Sequence, residues 1–315
     1  MITSDILKIK SDPIFFDCQN FVDDAKVYLK LEGMNIAGSI KLKTALFLIN
    51  DLEKKDIIAP FKNKIIESSS GNLGVAMSIV CKQKGYQFTC VTDPNISLQS
   101  EQIMKLYGAE IIKVMTRDKV GGYLGTRINY IQSLIAIDKS YVWTNQYAND
   151  ANIKAHYVET AVEVFNEIPK VDFIFIGAGT TGTLLGCANY IKDNALPTKV
   201  IAVDSIGSVT FGSPSGKRYI PGIGTSRRPE LVDTSNIDDI ILIHESAAVV
   251  MCHQLLSSYG LFVGGSTGSV MAAIKMFSDA HSGATIVAIS PDFGHKYINT
   301  VYNHEWLLNK SLIEG

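Results

Sequence analysis

The sequence predicts an α/β fold made of two doubly wound parallel-sheet domains, an expectation carried by three observations. Short apolar, β-branched runs alternate with longer amphipathic stretches, the pattern of parallel strands joined by crossover helices. Glycine-rich and hydroxyl-rich loops follow several of those apolar runs and lead into helical stretches. A chain of 315 residues, at a soft prior of roughly 150 residues per domain, suggests two lobes and hence a cleft.

Taken in order, the candidate strands of the first half are Lys64–Glu67, Gln87–Thr92, Glu110–Val114 and Tyr141–Trp143, separated by stretches such as Val75–Lys84 and Ser97–Tyr107. Those of the second half are Val171–Ile176, Lys199–Val203, Ile240–Ile243 and Thr285–Ile289. The polar stretch Thr144–Asp150 marks the junction, giving an N-terminal α/β domain over 1–145 and a C-terminal one over 146–315. About the first 35 residues are left able to pack on the second domain, since boundaries read this way are loose. A second irregular region, Ser205–Asp233, is rich in Gly, Ser, Pro and Arg, and long loops of this kind line sites or act as lids.

Composition removes several function classes. With 29 Lys and Arg against 31 Asp and Glu, the net charge of -2 offers no basic excess for nucleic acid or an anionic membrane. Five scattered cysteines without a Cys-x-x-Cys pair suggest neither a disulfide framework nor a metal site, and fit a reducing cytoplasm. The charged first twenty residues are unlike a signal peptide, and no apolar run is long enough to span a bilayer.

Four segments carry chemistry. The first, Asn35-Ile36-Ala37-Gly38-Ser39-Ile40-Lys41, leads into a helix with Ala45, Leu46, Ile49 and Leu52 on one face. Ser39 is read as its N-cap, which sets Lys41 in the first turn, where the helix dipole lowers the amine pKa from about 10.4. Such an amine is suited to condensing with an aldehyde. The second, Ser68-Ser69-Ser70-Gly71-Asn72-Leu73-Gly74, offers small residues, hydroxyls and a helix N-terminus to an anion such as a carboxylate. The third, Gly177-Ala178-Gly179-Thr180-Thr181-Gly182-Thr183, follows the apolar run Phe173–Ile176. It satisfies Gly-x-Gly-x-x-Gly with Asp204 after the next strand, so both a dinucleotide fingerprint and a cradle for a phosphate monoester are open. The fourth is the loop Gly264-Gly265-Ser266-Thr267-Gly268-Ser269.

In this order and spacing, over nearly the whole chain, the four segments resemble the cysteine synthase and cystathionine β-synthase family, the fold-type II pyridoxal 5'-phosphate enzymes also called β-substituted alanine synthases. The resemblance implies a cofactor held in the cleft between two α/β domains, with Lys41 as its Schiff-base lysine and Asn72 bonded to its phenolic oxygen. It implies that Gly179, Thr180, Thr181, Gly182 and Thr183 hold the phosphate, against the dinucleotide reading, and that Ser266 is the hydroxyl partner of the pyridine nitrogen. Ser69, Ser70 and Gln146 would bind the substrate α-carboxylate. Lys41, once displaced, would remove the Cα proton, and a second nucleophile would add at Cβ of an aminoacrylate. His156, after the Gln146–Asn152 stretch, is read as a structural residue. A homodimer acting on small amino-acid substrates in the cytoplasm is the family expectation.

The departures are informative. Leu73 replaces a threonine usual in the family, Ile36 a proline, and Thr181 a glycine. Together with Tyr219–Glu230, these variants look closer to a branch that makes N-(2-amino-2-carboxyethyl)-L-glutamate, a 2,3-diaminopropionate precursor, for siderophores and antibiotics. The expected reaction is a β-replacement on an activated L-serine, O-phospho-L-serine preferred, by an amino-acid amine such as that of L-glutamate. Arg127 and Tyr147 become candidates for contacting the phosphate leaving group or an acidic co-substrate. For Arg127 the competing reading is a solvated helix face, and Arg227 and Arg228 are explained as simply by surface charge. Cysteine synthase using O-acetyl-L-serine and sulfide is the alternative, and an NAD-dependent dehydrogenase a more distant one.

Overall fold

The computed structural model describes residues 2–9, 11–118, 121–277 and 283–314. In chain order its strands and helices begin with β1 (Phe15–Asp17), β2 (Lys26–Leu31), α1 (Lys41–Lys54), β3 (Lys64–Ser68), α2 (Asn72–Lys84) and β4 (Gln87–Thr92). They continue with α3 (Leu98–Leu106), β5 (Glu110–Lys113), α4 (Leu124–Ile137), β6 (Tyr141–Trp143) and α5 (Ala151–Ala155). A single π-helical turn (His156–Ala161) then runs into α6 (Val162–Glu167), β7 (Phe173–Gly177), α7 (Gly182–Asp193), β8 (Lys199–Ser205) and β9 (Asp239–Ile243). The chain closes with α8 (Glu245–Tyr259), α9 (Gly265–Phe277), β10 (Thr285–Ser290) and α10 (His304–Asn309). The fold divides into two compact units, Met1–Lys10 with Asn35–Asn152, and Ser11–Met34 with Ile153–Gly315.

The first unit holds a four-stranded parallel sheet in the order β5-β4-β3-β6. Ile65 and Ile66 of β3 are fully buried, as expected of a parallel strand covered on both faces. Helix α2 is buried from Leu73 through Cys81 and so lies in the core. A Cβ on Gly74 would fall 2.7 Å from Met104 Sδ and 3.1 Å from Cys90 Sγ, so this first-turn glycine lets the helix lie against its neighbours. The helix ends at Gly85, whose φ of 79° is the left-handed cap that favours glycine.

The second unit holds a six-stranded sheet in the order β1-β2-β10-β7-β8-β9. All its pairings are parallel except β1 with β2. Both of those strands precede Lys64 and were not expected from the sequence. β1 is a three-residue strand at the sheet edge, and β2 carries a buried lysine in mid-strand. Burial of Lys30 is tolerated because its Nζ lies 2.7 Å from Glu32 and 2.6 Å from Glu163. Every other strand agrees with the sequence expectation to within about two residues at each end, the usual uncertainty of element limits. Between β8 and β9 no regular element forms.

Two local expectations are corrected. Ser39 does not cap α1: the N-cap is Ile40 in a helical conformation, with no side-chain bond, and Ser39 is buried just before it. Gly264–Ser269 is not a loop. Helix α9 starts at Gly265, and the preceding Leu261–Val263 run makes only a bridge from Val263 to Phe293.

Candidate active site

The first unit presents Lys41 from a turn stitched by one asparagine. Asn35 Oδ1 accepts from Ala37 N at 3.0 Å and its Nδ2 donates to Ser39 O at 2.9 Å, while Gly38, at φ 63°, supplies the left-handed residue the turn requires. Lys41 then opens α1. Enough protein surrounds its amine to lower the pKa to about 8, and the leading cause is desolvation, with the Glu67 carboxylate pulling the other way. The direction expected from the sequence holds. Its principal cause is burial rather than the helix dipole.

Glu67 was not singled out from the sequence, yet it organises the surroundings of Gln146 and the β3–α2 loop. It is fully buried near the carboxyl end of β3. Its Oε1 accepts from Ser68 N at 2.7 Å and Trp143 Nε1 at 3.0 Å; its Oε2 accepts from Thr144 Oγ1 at 2.6 Å and Gln146 N at 3.1 Å. Burial pushes its pKa up while these donors hold it down. Three N–H donors and a hydroxyl able to donate favour the carboxylate form in this pocket. The clue in the sequence was an acid ending an otherwise apolar strand, where burial is unusual.

Through Glu67 the β3–α2 loop and the Gln146 segment are held together. Gln146 is buried and donates from Nε2 to Ser68 O at 3.1 Å. Asn152 Nδ2 donates to Gln146 O at 2.9 Å, and Thr44 Oγ1, one turn after Lys41, donates to Asn152 Oδ1 at 3.1 Å. Thr44, Glu67, Ser68, Gln146 and Asn152 therefore belong to one bonded network, with Lys41 one turn before Thr44 and Ser69, Ser70 and Asn72 following Ser68 in the chain. Ser69 has a local task, since its Oγ accepts from Gly71 N at 3.2 Å and Gly74 N at 2.9 Å. Ser70 and Asn72 are half-buried, Asn72 as the first residue of α2.

For Arg127 the competing reading fails. The residue is not on a solvated face but buried, 8 % exposed, with Nε 3.4 Å from Asp93 Oδ2. Tyr147 is also buried and packs with Leu124 and Ile128 on the same helix α4. Arg227 lies on the surface in an ion pair with Glu230.

In the second unit the Gly177–Thr183 segment turns sharply between β7 and α7. Ala178 N donates to Val203 O at 2.7 Å, and Gly224 N donates back to Ala178 O at 2.7 Å. Thr181 adopts φ 67°, a left-handed conformation rare for a β-branched residue. Its hydroxyl donates to Thr180 O at 2.7 Å. The half-buried Thr183 in the first turn of α7 has its Oγ1 3.2 Å from His156 Nε2. Ser266 is buried in the first turn of α9.

Gly222, from the irregular segment after β8, connects these pieces. Its carbonyl oxygen would lie 3.3 Å from a Cβ on Gly179, and a Cβ on Gly222 itself would lie 3.7 Å from Ser266 Oγ. With φ 94°, Gly222 occupies a conformation that side chains avoid. Asp204 is buried at the end of β8, accepts from Ser205 N at 2.8 Å and has its pKa raised by burial to about 6.

Against known proteins, residues 14–292 match the family model described as pyridoxal-phosphate dependent enzyme. The chain belongs to the pyridoxal-phosphate dependent enzymes. It is 40% identical over 289 residues to the N-(2-amino-2-carboxyethyl)-L-glutamate synthase of Cupriavidus metallidurans, covering 90% of this chain and 84% of the relative. It is 41% identical over 285 residues to the enzyme of the same name from Ralstonia nicotianae, with the same coverage of 90% and 84%. Among solved structures it resembles O-ureido-L-serine synthase, with a TM-score of 0.87, 27% identity and coverage of 100% and 98%. It also resembles a hydrogen sulfide-producing enzyme from Fusobacterium nucleatum, with a TM-score of 0.86, 30% identity and coverage of 94% and 100%. Family membership retires the dinucleotide reading of Gly177–Gly182.

The side chains suit the cofactor of this family. An amine of lowered proton affinity is ready to condense with an aldehyde, and amides and hydroxyls at a helix start match a phosphate monoester. Among the described residues no group of His, Cys, Asp and Glu could hold a metal ion, and no helix is long and apolar enough to cross a membrane. The five cysteines are free and buried.

Proposed function

We propose that this protein catalyses β-replacement on an activated L-serine, with O-phospho-L-serine preferred as donor and the amine of an amino acid such as L-glutamate as nucleophile. The product would be a precursor of 2,3-diaminopropionate, of use in siderophore or antibiotic biosynthesis. The observation that carries this reading is the 40% and 41% identity, along 90% of the chain, to two enzymes named for making N-(2-amino-2-carboxyethyl)-L-glutamate.

When bound, pyridoxal phosphate supplies the electron sink that labilises the Cα proton and the Cβ substituent of the amino acid. The chain's own residues do the rest. Lys41 Nζ carries the cofactor and, once released, takes the Cα proton; its lowered proton affinity, about 8, suits a base working near neutrality. Ser70 and Gln146 bind the substrate carboxylate, and Ser69 holds the loop amides at Gly71 and Gly74 in place for it. Asn72 would bond the cofactor's phenolic oxygen, Gly179–Thr183 would hold its phosphate, and Ser266 would supply the hydroxyl partner of its ring nitrogen.

Arg127 and Tyr147 are the proposed contacts for the phosphate of the donor or the acidic co-substrate. Supporting this, Arg127 is a buried cation whose Nε lies 3.4 Å from Asp93 Oδ2 without a hydrogen-bond partner among the described residues. A guanidinium fork matches the oxygens of a phosphate or carboxylate bidentately. The working form is proposed to be a cytoplasmic homodimer.

The test offers each donor with each nucleophile and identifies products by mass spectrometry. The expected result is coupled product from O-phosphoserine and glutamate at a higher kcat/KM than any pairing with O-acetylserine or sulfide. Cysteine as the dominant product, or no product with glutamate, overturns the reading.

A further inference from the structure

His156 is fully buried, and both of its ring nitrogens meet threonine hydroxyls: Nδ1 lies 3.0 Å from Thr160 Oγ1 and Nε2 lies 3.2 Å from Thr183 Oγ1. The backbone is shaped to permit this. His156 opens the single π-helical turn His156–Ala161, a widened form that persists only where something holds it. Gly186 of α7 lies against that turn so closely that a Cβ there would fall 2.6 Å from His156 Cβ, 2.6 Å from Ile153 O and 2.8 Å from Tyr157 N. Thr183 is three residues before Gly186 on the same face of α7, so the approach that glycine allows also brings the Thr183 hydroxyl to the imidazole.

A threonine hydroxyl has one proton, and a neutral imidazole has one N–H. If Thr183 gives its proton to Nε2, only oxygen lone pairs are left to face a phosphate dianion. If Nε2 carries the proton and donates to Thr183, the hydroxyl proton is free to turn to the anion. The second arrangement needs Nδ1 to be the accepting nitrogen, and the Thr160 hydroxyl, which can donate, stands 3.0 Å from it. We propose that His156 is a positioning residue, held by Thr160 as the Nε2–H tautomer, that aims the Thr183 hydroxyl proton at the cofactor phosphate. The assignment rests on the reading of Gly179–Thr183 as the phosphate cradle and adds a line of three side chains behind it.

The first test is the tautomer itself, read on the holoenzyme by two-bond 15N–1H correlation of the His156 ring. The expected pattern is a protonated Nε2 and a bare Nδ1; a protonated Nδ1 with bare Nε2 overturns the proposal. The second test reconstitutes cofactor-free protein with pyridoxal phosphate. Thr160→Val is expected to raise the concentration for half-reconstitution about tenfold, the worth of one charge-assisted hydrogen bond. Thr160→Ser is expected to restore it, and in a Thr183→Val background Thr160→Val is expected to add nothing, because the two act through one bond. Additive losses would mean that Thr160 only supports the fold, and the proposal would fail. If Thr183→Val leaves affinity unchanged, the cradle assignment and the proposal fall together; if Thr183→Val weakens binding and Thr160→Val does not, only the role of His156 is lost.

Discussion

Each unit carries a construction of its own, and the two are built on different electrostatics. In the first, a buried carboxylate, Glu67, gathers four donors from two loops and sits within electrostatic reach of the Lys41 amine. In the second, Gly177–Thr183 and Ser266 carry no charged side chain, and the shape is set by backbone bonds, a left-handed threonine and glycines that let chains touch. On the proposed reading, in which Gly179–Thr183 hold the phosphate and Lys41 the aldehyde, the chain would bind a charged cofactor without matching it charge for charge. A reacting amine needs its proton affinity tuned, which takes a buried charge and low solvation. A spectator phosphate needs only fixed dipoles, which amides and hydroxyls supply without a lysine that would compete for the aldehyde.

The comparison can be broken most decisively at Lys41. Lys41→Ala should abolish the borohydride-trapped cofactor adduct, located by peptide mass spectrometry, and lower turnover on the order of 10³-fold, as loss of a positioned base does. An adduct of unchanged yield on another lysine would remove the first unit's claim to the chemistry.

Next in size is Glu67. Glu67→Ala leaves Trp143 Nε1, Thr144 Oγ1 and two amide N–H groups without their acceptor. A loss of about 3–5 kcal/mol in denaturant-measured stability is expected for an emptied buried network. Its conservative partner Glu67→Gln sharpens the electrostatic point. Because Glu67 raises the Lys41 pKa, removing its charge should move the midpoint of imine formation, followed against pH, below about 8. A midpoint that stays or rises would show that the carboxylate does not act on the amine. The same shift has a stability sign. Lys41 is depressed from its ordinary 10.5 to about 8, so its folding penalty is fully present below about 8 and fades as pH rises to 10.5. Apoenzyme with Lys41→Met should show a flatter stability profile through that window.

In the second unit the effects are steric and smaller. Gly186→Ala should cost about 1–3 kcal/mol through overpacking against the His156 turn and should weaken cofactor binding with it. Thr181→Gly is expected to be the mildest change. Relief of left-handed strain is offset by a more flexible unfolded chain and the lost bond to Thr180 O, leaving a net change within about 1 kcal/mol by thermal unfolding.

Much of this was legible along the chain. Strand positions followed from apolar runs bounded by polar turns, and the four chemical segments stood out because glycine and hydroxyl residues cluster after strands. Lys41 could be chosen because its neighbours resembled a known pattern. What escaped was what long-range contacts create. β1 and β2 read poorly because a buried lysine is intelligible only beside Glu32 and Glu163. Ser39 looked like a cap and is not one, since Ile40 already has helical dihedrals. Glu67 and His156 looked like an ordinary acid and a core histidine until their partners, up to 79 and 27 residues away, were seen.

The amino-acid order by itself determined the class of fold and the four segments whose resemblance to a known family pointed to the cofactor and to Lys41, because periodicity, glycine turns and reactive side chains are local properties. Only the tertiary structure decided that Lys41 is tuned by burial against Glu67, that Arg127 is an enclosed cation, and that Gly222 and Gly186 bring distant segments into contact. Desolvation and close packing depend on which residues arrive from elsewhere in the chain, and no local pattern encodes that.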